Sequence, residues 1–300
     1  MAAAKRKKPI SRQEFCRQLI GLLKKRYPPD AVQNERTVLE TLLYGICLED
    51  ASHEQADAAF ERLSTDFHDL NEIRVSSIRE LEPVFDKMEQ PEWRALRVRS
   101  VLQHVFESSY TFEYESLLRR TLKQATRQLQ RVAYLTRFAR DFVLQNALGG
   151  HVIPLDNVQR NALAWLGVVP VKLSIPRSIK QLKSLVRKPD AVLFGVLLRR
   201  LGTDPLIRRA FDVHGNPLPE GGYPLETAVD RLNELYKEAE SQRRKRRKAA
   251  RKAGVAKKPA AAKKTASKSK GKTRRTAAAK STGSKRTPAS GRKASRSRKS

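Results

Sequence analysis

The sequence predicts an all-α protein of around ten helices followed by a disordered polybasic C-terminal tail. Three observations predict it. Helix-cap signatures recur along the chain, each ahead of apolar residues spaced by three and four. No run of alternating apolar residues is long enough for a sheet; Val168-Val-Pro-Val-Lys-Leu173 comes nearest, and Pro170 weakens it. After Glu240 only alanines and Val255 carry apolar carbon, too little burial to offset chain entropy.

The elements follow in order. Ser11-x-x-Glu14 is a capping box ahead of Phe15, Leu19, Ile20, Leu22 and Leu23, and Pro28-Pro29 stops that helix. Val38, Leu39, Leu42, Leu43 and Ile46 form the next stripe. Ser52-x-x-Gln55 caps a third helix through Ala56, Ala59, Phe60 and Leu63; Ser77-x-x-Glu80 caps a short fourth. Pro91 opens a long helix bearing Trp93, Leu96, Val98, Val101, Leu102, Val105 and Phe106. Helices are expected near 115–130 and 130–146, from Asp156, over 176–186 and over 190–201. A Pro/Gly-rich stretch precedes a last amphipathic helix from about Leu225, which runs into Arg243–Lys248. This divides the chain into a basic arm (1–10), a helical core (11–215), a linker with the C-terminal helix (216–240) and the tail (241–300). Trp93 and Trp165 lie on apolar faces and read as core.

The formal charge is +31, from 62 Lys+Arg against 31 Asp+Glu, but it is concentrated at the ends. Residues 241–300 hold 25 Lys/Arg and no acidic residue, and Lys5, Arg6, Lys7 and Lys8 add four more. Residues 9–240 hold 33 basic and 31 acidic residues, a nearly neutral body. The asymmetry points to a polyanion partner, with Arg243, Arg244, Lys245, Arg246, Arg247, Lys248, Lys263 and Lys264 as phosphate-binding candidates. The alternative is a solubilising tail. The tail composition resembles that of linker-histone C-termini and bacterial histone-like proteins. No apolar run reaches the roughly 18 residues of a membrane span, and Met1–Lys8 lack a signal-peptide apolar region. Two cysteines, Cys16 and Cys47, cannot make a disulfide framework or a four-cysteine metal site. The five histidines show no metal-binding spacing, so no cofactor is expected. The expected state is an intracellular monomer on double-stranded DNA, in a nucleoid or a nucleus. RNA is a second polyanion that the same charge would attract.

One segment carries a more specific pattern. Ala147-Leu-Gly-Gly-His-Val-Ile-Pro-Leu-Asp156-Asn-Val-Gln-Arg160, then a helix ending Trp165-Leu-Gly-Val-Val169, resembles the endonuclease III family of helix-hairpin-helix DNA glycosylases. Arg36–Leu43 with Ala56–Phe60 is similar to that family's opening helix pair. Asp190–Leu198 is similar to the helix before its cluster cysteines. The resemblance covers most of residues 30–205. It implies a two-lobed helical fold that flips a damaged base into an interlobe pocket. It also implies that Asp156 stabilises positive charge on the deoxyribose as the glycosidic bond breaks. Read without the family, Asp156 is a helix N-cap, and both roles are compatible.

The departures are as informative. Counting back from Asp156 lays the family's Leu-Pro-Gly-x-Gly hairpin over Val132-Ala-Tyr-Leu-Thr136, so both glycines are replaced. The Schiff-base lysine falls on Phe138, which cannot form an imine, so lyase chemistry is not expected. The cluster cysteines are missing. Any enzymatic activity would be that of a monofunctional glycosylase; the rival expectation is a non-catalytic architectural DNA-binding protein. Arg137, Arg140 and Arg160 lie near the hairpin and Asp156 and are candidates for phosphate contact or for a solvated helix face. His151 sits near Asp156 in a loop. Cys47 falls near the family's gap-filling glutamine and otherwise reads as buried.

Overall fold

The computed structural model describes residues 10–27, 36–213 and 215–256. Among them are twelve α-helices and no strand, where the sequence predicts around ten helices. They are α1 (Arg12–Arg26), α2 (Val38–Leu48), α3 (His53–Thr65), α4 (Leu70–Val75), α5 (Ile78–Leu81), α6 (Pro91–Ser109), α7 (Leu122–Leu129), α8 (Arg137–Asn146), α9 (Asn157–Leu166), α10 (Ile175–Leu185), α11 (Lys188–Thr203) and α12 (Ala228–Ala256). Short 3-10 turns lie at Glu82–Phe85, Glu115–Arg119, Arg208–Phe211 and Leu225–Thr227.

Side chains start most of these helices. Ser52 with Gln55 and Ser77 with Glu80 form reciprocal boxes at α3 and α5. At α1 only half the box forms: Ser11 accepts the Glu14 N–H, while Glu14 turns to Arg17 at 3.3 Å. Thr37 with Glu40 and Thr121 with Gln124 make two further boxes, at α2 and α7. Pro91 occupies the first position of α6, where its missing N–H costs nothing.

The helices enclose two apolar cores. One is built from α2 to α8, around Leu42, Ile46, Val98, Leu102 and Val143. The other joins Phe15, Leu19 and Leu23 of α1 to α9, α10 and α11, and to Ala228, Leu232 and Tyr236 at the start of α12. The chain therefore leaves the second lobe after α1, builds the first, and returns at residue 153. Cys16 and Cys47 are buried, one in each core.

Two expectations are corrected. The tail does not lose structure at residue 241: α12 continues to Ala256, because Ala, Arg, Lys and Gln are strong helix formers extending a helix already nucleated. Residues 1–9 and 257–300, with Lys263 and Lys264, lie outside the described residues, as do Pro28, Pro29 and His214. Trp165 is buried, but Trp93 is 49% exposed. The buried stripe of α6 runs through Ala95, Val98, Val101, Leu102 and Val105, and Trp93 sits about 200° around the helix from Ala95.

α2 is apolar on every side, as the central helix of a lobe must be. Gly45 lets α8 approach closely: a Cβ there would meet Phe142 Cδ1 at 3.2 Å and Ala139 Cα at 3.4 Å. The far end of α2 is held by Arg94, whose buried guanidinium donates to the carbonyls of Glu89 (2.9 Å), Ile46 (2.6 Å), Cys47 (3.3 Å) and Glu49. These include carbonyls that no helical N–H can reach. Replacing Arg94 by Met should therefore cost at least about 3 kcal/mol in urea unfolding, from orphaned buried carbonyls. Arg94→Lys should recover only part of it, since an ammonium cannot span the set as a planar fork does.

Candidate nucleic-acid interface and interlobe site

Asp156 precedes α9 in extended conformation and caps it: its Oδ1 accepts the Gln159 N–H at 2.9 Å. Its Oδ2 is used twice more, accepting the Asp50 N–H at 2.8 Å and Arg199 Nη2 at 2.6 Å. Asp156 is 3% exposed and Arg199 1%. Asp50, in the short connection after α2, returns the contact. Its carboxylate accepts the N–H groups of Asn157 (2.9 Å) and Val158 (3.2 Å). The first amides of α9 are thus taken by two carboxylates of the chain itself. Burial pushes the Asp50 carboxyl above its usual range, and the facing Asp156 charge pushes it the same way.

Arg199 comes from α11 in the second lobe and reaches into the first. Its Nη1 donates to the carbonyls of Leu48 (2.8 Å) and Ala51 (2.9 Å), and its guanidinium lies 4.9 Å from the centre of the Phe138 ring. Phe138, at the lysine position of the resemblance, stacks in turn on Phe142. An arginine therefore bridges the residue aligned with the lysine and the residue aligned with the catalytic aspartate.

Beside this bridge is an interlobe cavity of about 240 Å³ whose wall includes Tyr44, His53, Phe138, Phe142, Gln145 and Arg199. Asp156 is not part of that wall. Arg36 lies over the Tyr44 ring at 3.8 Å, and the Tyr44 hydroxyl donates to Asp57 at 2.7 Å. The imidazole of His53 is pushed down to about 4, first by burial and then by Arg199 and Arg200, so it faces the cavity neutral. His151 binds the Val186 carbonyl at 3.0 Å and is not on the cavity wall.

The basic candidates divide. Arg160 donates to the Val171 carbonyl at 3.0 Å and braces the loop after α9. Arg137 and Arg140 both approach the buried Asp141, at 3.2 and 3.8 Å, so that carboxylate offsets part of their charge. Arg243–Lys248 are all exposed on α12. Cys47 is fully buried against the first core.

The turn between α7 and α8 is the predicted hairpin, and it keeps a glycine-like path without glycine. Tyr134, at the first glycine position, has φ +61°. Thr136, at the second, becomes the N-cap of α8 and accepts the Ala139 N–H at 3.2 Å. Tyr134 is 58% exposed, and its ring centre lies 6.3 Å from that of Trp93. Sequence reasoning missed Arg199, Asp50 and this aromatic pair. The available signal was a pair of arginines, Arg199 and Arg200, inside the otherwise apolar run Val196–Leu201, which does not say which of the two is buried.

No protein-family model and no curated protein sequence matches the chain. Solved structures do. A trapped endonuclease III–DNA covalent intermediate, an estranged-adenine complex, superposes with a TM-score of 0.53 at 15% identity, covering 73% of this chain and 99% of that one. A non-covalent endonuclease III–DNA complex gives 0.50 at 16% identity, covering 64% and 86%. The 8-oxoguanine glycosylase/lyase of Clostridium acetobutylicum, bound to double-stranded DNA with cytosine opposite 8-oxoG, gives 0.50 at 9% identity, covering 65% and 71%. The chain thus has the all-α, endonuclease III-like helix-hairpin-helix fold that its residues 147–169 suggest.

Proposed function

We propose that this chain is a DNA-binding protein that keeps the glycosylase framework and uses Asp156 as a structural clasp, with no cleavage of glycosidic bonds. The observation that carries this reading is the Asp156–Arg199 ion pair at 2.6 Å. A carboxylate that stabilises a cationic transition state must present uncompensated charge to the reacting sugar. Here a guanidinium already neutralises it, two backbone amides occupy two more of its acceptor positions, and the cavity wall lies elsewhere. Phe138 removes the amine that lyase chemistry needs.

DNA as the partner is supported by the fold, since the similar structures are DNA complexes, and by the charge. Six consecutive cations, Arg243–Lys248, extend on a helix from a nearly neutral body. Such contacts fix position on phosphates and carry no base information. A second reading, a monofunctional glycosylase, is favoured by one feature: the interlobe cavity of about 240 Å³ is lined by aromatic rings and amides, as a base pocket would be.

One experiment separates the two. The full chain is titrated with an undamaged duplex and with a duplex holding a cationic abasic-sugar analogue of the glycosylase transition state. Equal affinity is expected. A strong preference for the analogue that Asp156→Asn abolishes would overturn the clasp reading in favour of catalysis. Stability gives a second check. Asp156→Asn should destabilise by about 3–5 kcal/mol, because it leaves Arg199 buried and uncompensated. The double variant Asp156→Asn/Arg199→Met should lose less than the sum of the two single variants, because the two side chains are coupled, which a purely catalytic carboxylate would not show. For the phosphate contacts, the affinity of the full chain should fall with salt at a log–log slope steeper than about −10. Replacing all six residues 243–248 by Gln should flatten that slope by about 5. An unchanged slope would remove them from the interface.

A further inference from the structure

Resting on the DNA-binding reading, we infer that the face formed by α6, α7 and the hairpin holds unpaired bases of DNA, with Trp93 and Tyr134 as the stacking platform and Arg120, Arg127 and Arg131 as the backbone track. Four observations meet there. Trp93 and Tyr134 are each about half exposed, and their ring centres are 6.3 Å apart, forming one partly solvent-facing aromatic surface. Tyr134 takes a left-handed backbone, φ +61°, which a side chain normally avoids. Such strain is tolerated where a function holds the ring outward. Beside the hairpin runs an open groove of about 450 Å³ lined by Arg120, Arg127, Arg131 and His104, with no carboxylate in its wall. Among the described residues none of its three arginines is in an ion pair, in contrast to Arg137 and Arg140.

The geometry connects these parts. His104 in the groove follows Trp93 by eleven residues, three helical turns, so both sit on one face of α6 about 16 Å apart. Arg131 leads into Tyr134 within the same turn. The basic groove and the aromatic pair therefore share one face of α6, and the turn from Arg131 to Tyr134 joins them. A cationic track beside exposed rings is the arrangement that binds single strands, since every base offers a π-face and duplex stacking hides it. Phosphates alone would not require the rings. A protein partner would not require three adjacent uncompensated arginines.

Trp93 supplies its own reporter, because Trp165, the other tryptophan, is buried. The full-length chain is titrated with a single-stranded oligothymidylate and with an intact duplex of equal length, at raised salt to suppress the polycationic segment. The expected result is fluorescence quenching by the single strand and little by the duplex. Trp93→Phe should abolish the quenching while retaining most affinity. Trp93→Ala should weaken oligothymidylate binding about tenfold, in the range of one lost stacking contact, with duplex binding unchanged. Tyr134→Gly relaxes the hairpin backbone and removes the ring. It should also weaken single-strand binding, whereas a ring with only a structural place would leave binding equal or improved. Thermal unfolding of each variant guards against misfolding. Duplex binding without quenching, or variants that bind oligothymidylate as the wild type does, would overturn this inference and leave the DNA-binding reading standing. Absence of binding to either nucleic acid would overturn both.

Discussion

The C-terminus of α2 ends between the two lobes, away from water, and its last carbonyls have no intrahelical donors. Two buried arginines satisfy them from opposite sides. Arg94 reaches Ile46, Cys47 and Glu49 from within the first lobe; Arg199 reaches Leu48 and Ala51 from the second. Both cations also sit at the favourable end of the helix dipole. Burying the Arg199 guanidinium is costly without a counter-charge, and Asp156 provides one. The same carboxylate caps α9 and takes the Asp50 amide, so the α2–α3 connection, α9 and α11 are fixed by one set of hydrogen bonds. Buried ion pairs contribute modest net stability because desolvation is expensive, but breaking one side is costly. The pair therefore serves lobe geometry more than total stability.

The hairpin makes a related point about what a motif encodes. Glycine in such a turn provides a left-handed backbone and close approach to a phosphate. Here the backbone conformation survives at Tyr134 with the glycine gone. The Tyr134 side chain instead projects into solvent. The second replacement is conservative in function: Thr136 caps α8, a task its hydroxyl suits. A left-handed turn residue and a helix cap are thus supplied here by side chains other than glycine.

Much of this architecture was legible in the chain. Ser52, Ser77 and Pro91 mark helix starts by local chemistry, so their reading needed no tertiary information. Asp156 was legible as a cap for the same reason, and its place in the fold through the pattern around it. α4 was not, since six residues are too few to display a period. Trp93 was misplaced because an apolar residue two positions before a buried stripe looks continuous with it in one dimension. The partners of Arg199 and Asp50 were invisible for a deeper reason. They lie 151 and 107 residues away, and nothing local distinguishes an arginine that will be buried from its neighbour Arg200.

Charge distribution closes the argument about how the parts divide the work. The lobes neutralise much of their own charge internally: Arg199 with Asp156, Arg137 and Arg140 with Asp141, Arg97 with Glu49, Arg62 with Asp66 and Asp86. On the proposed function, a body balanced in this way exerts little long-range pull on DNA, and encounter falls to the basic segment beginning at Arg243. That segment is indifferent to sequence and to strandedness, since phosphates are alike in both. Any discrimination must then come from a surface that reads something other than phosphate. The exposed pair of Trp93 on α6 and Tyr134 on the hairpin, beside its arginine groove, is the surface inferred for that task. Attraction and selection are thereby carried by separate elements, which lets each change without disturbing the clasp that holds the lobes.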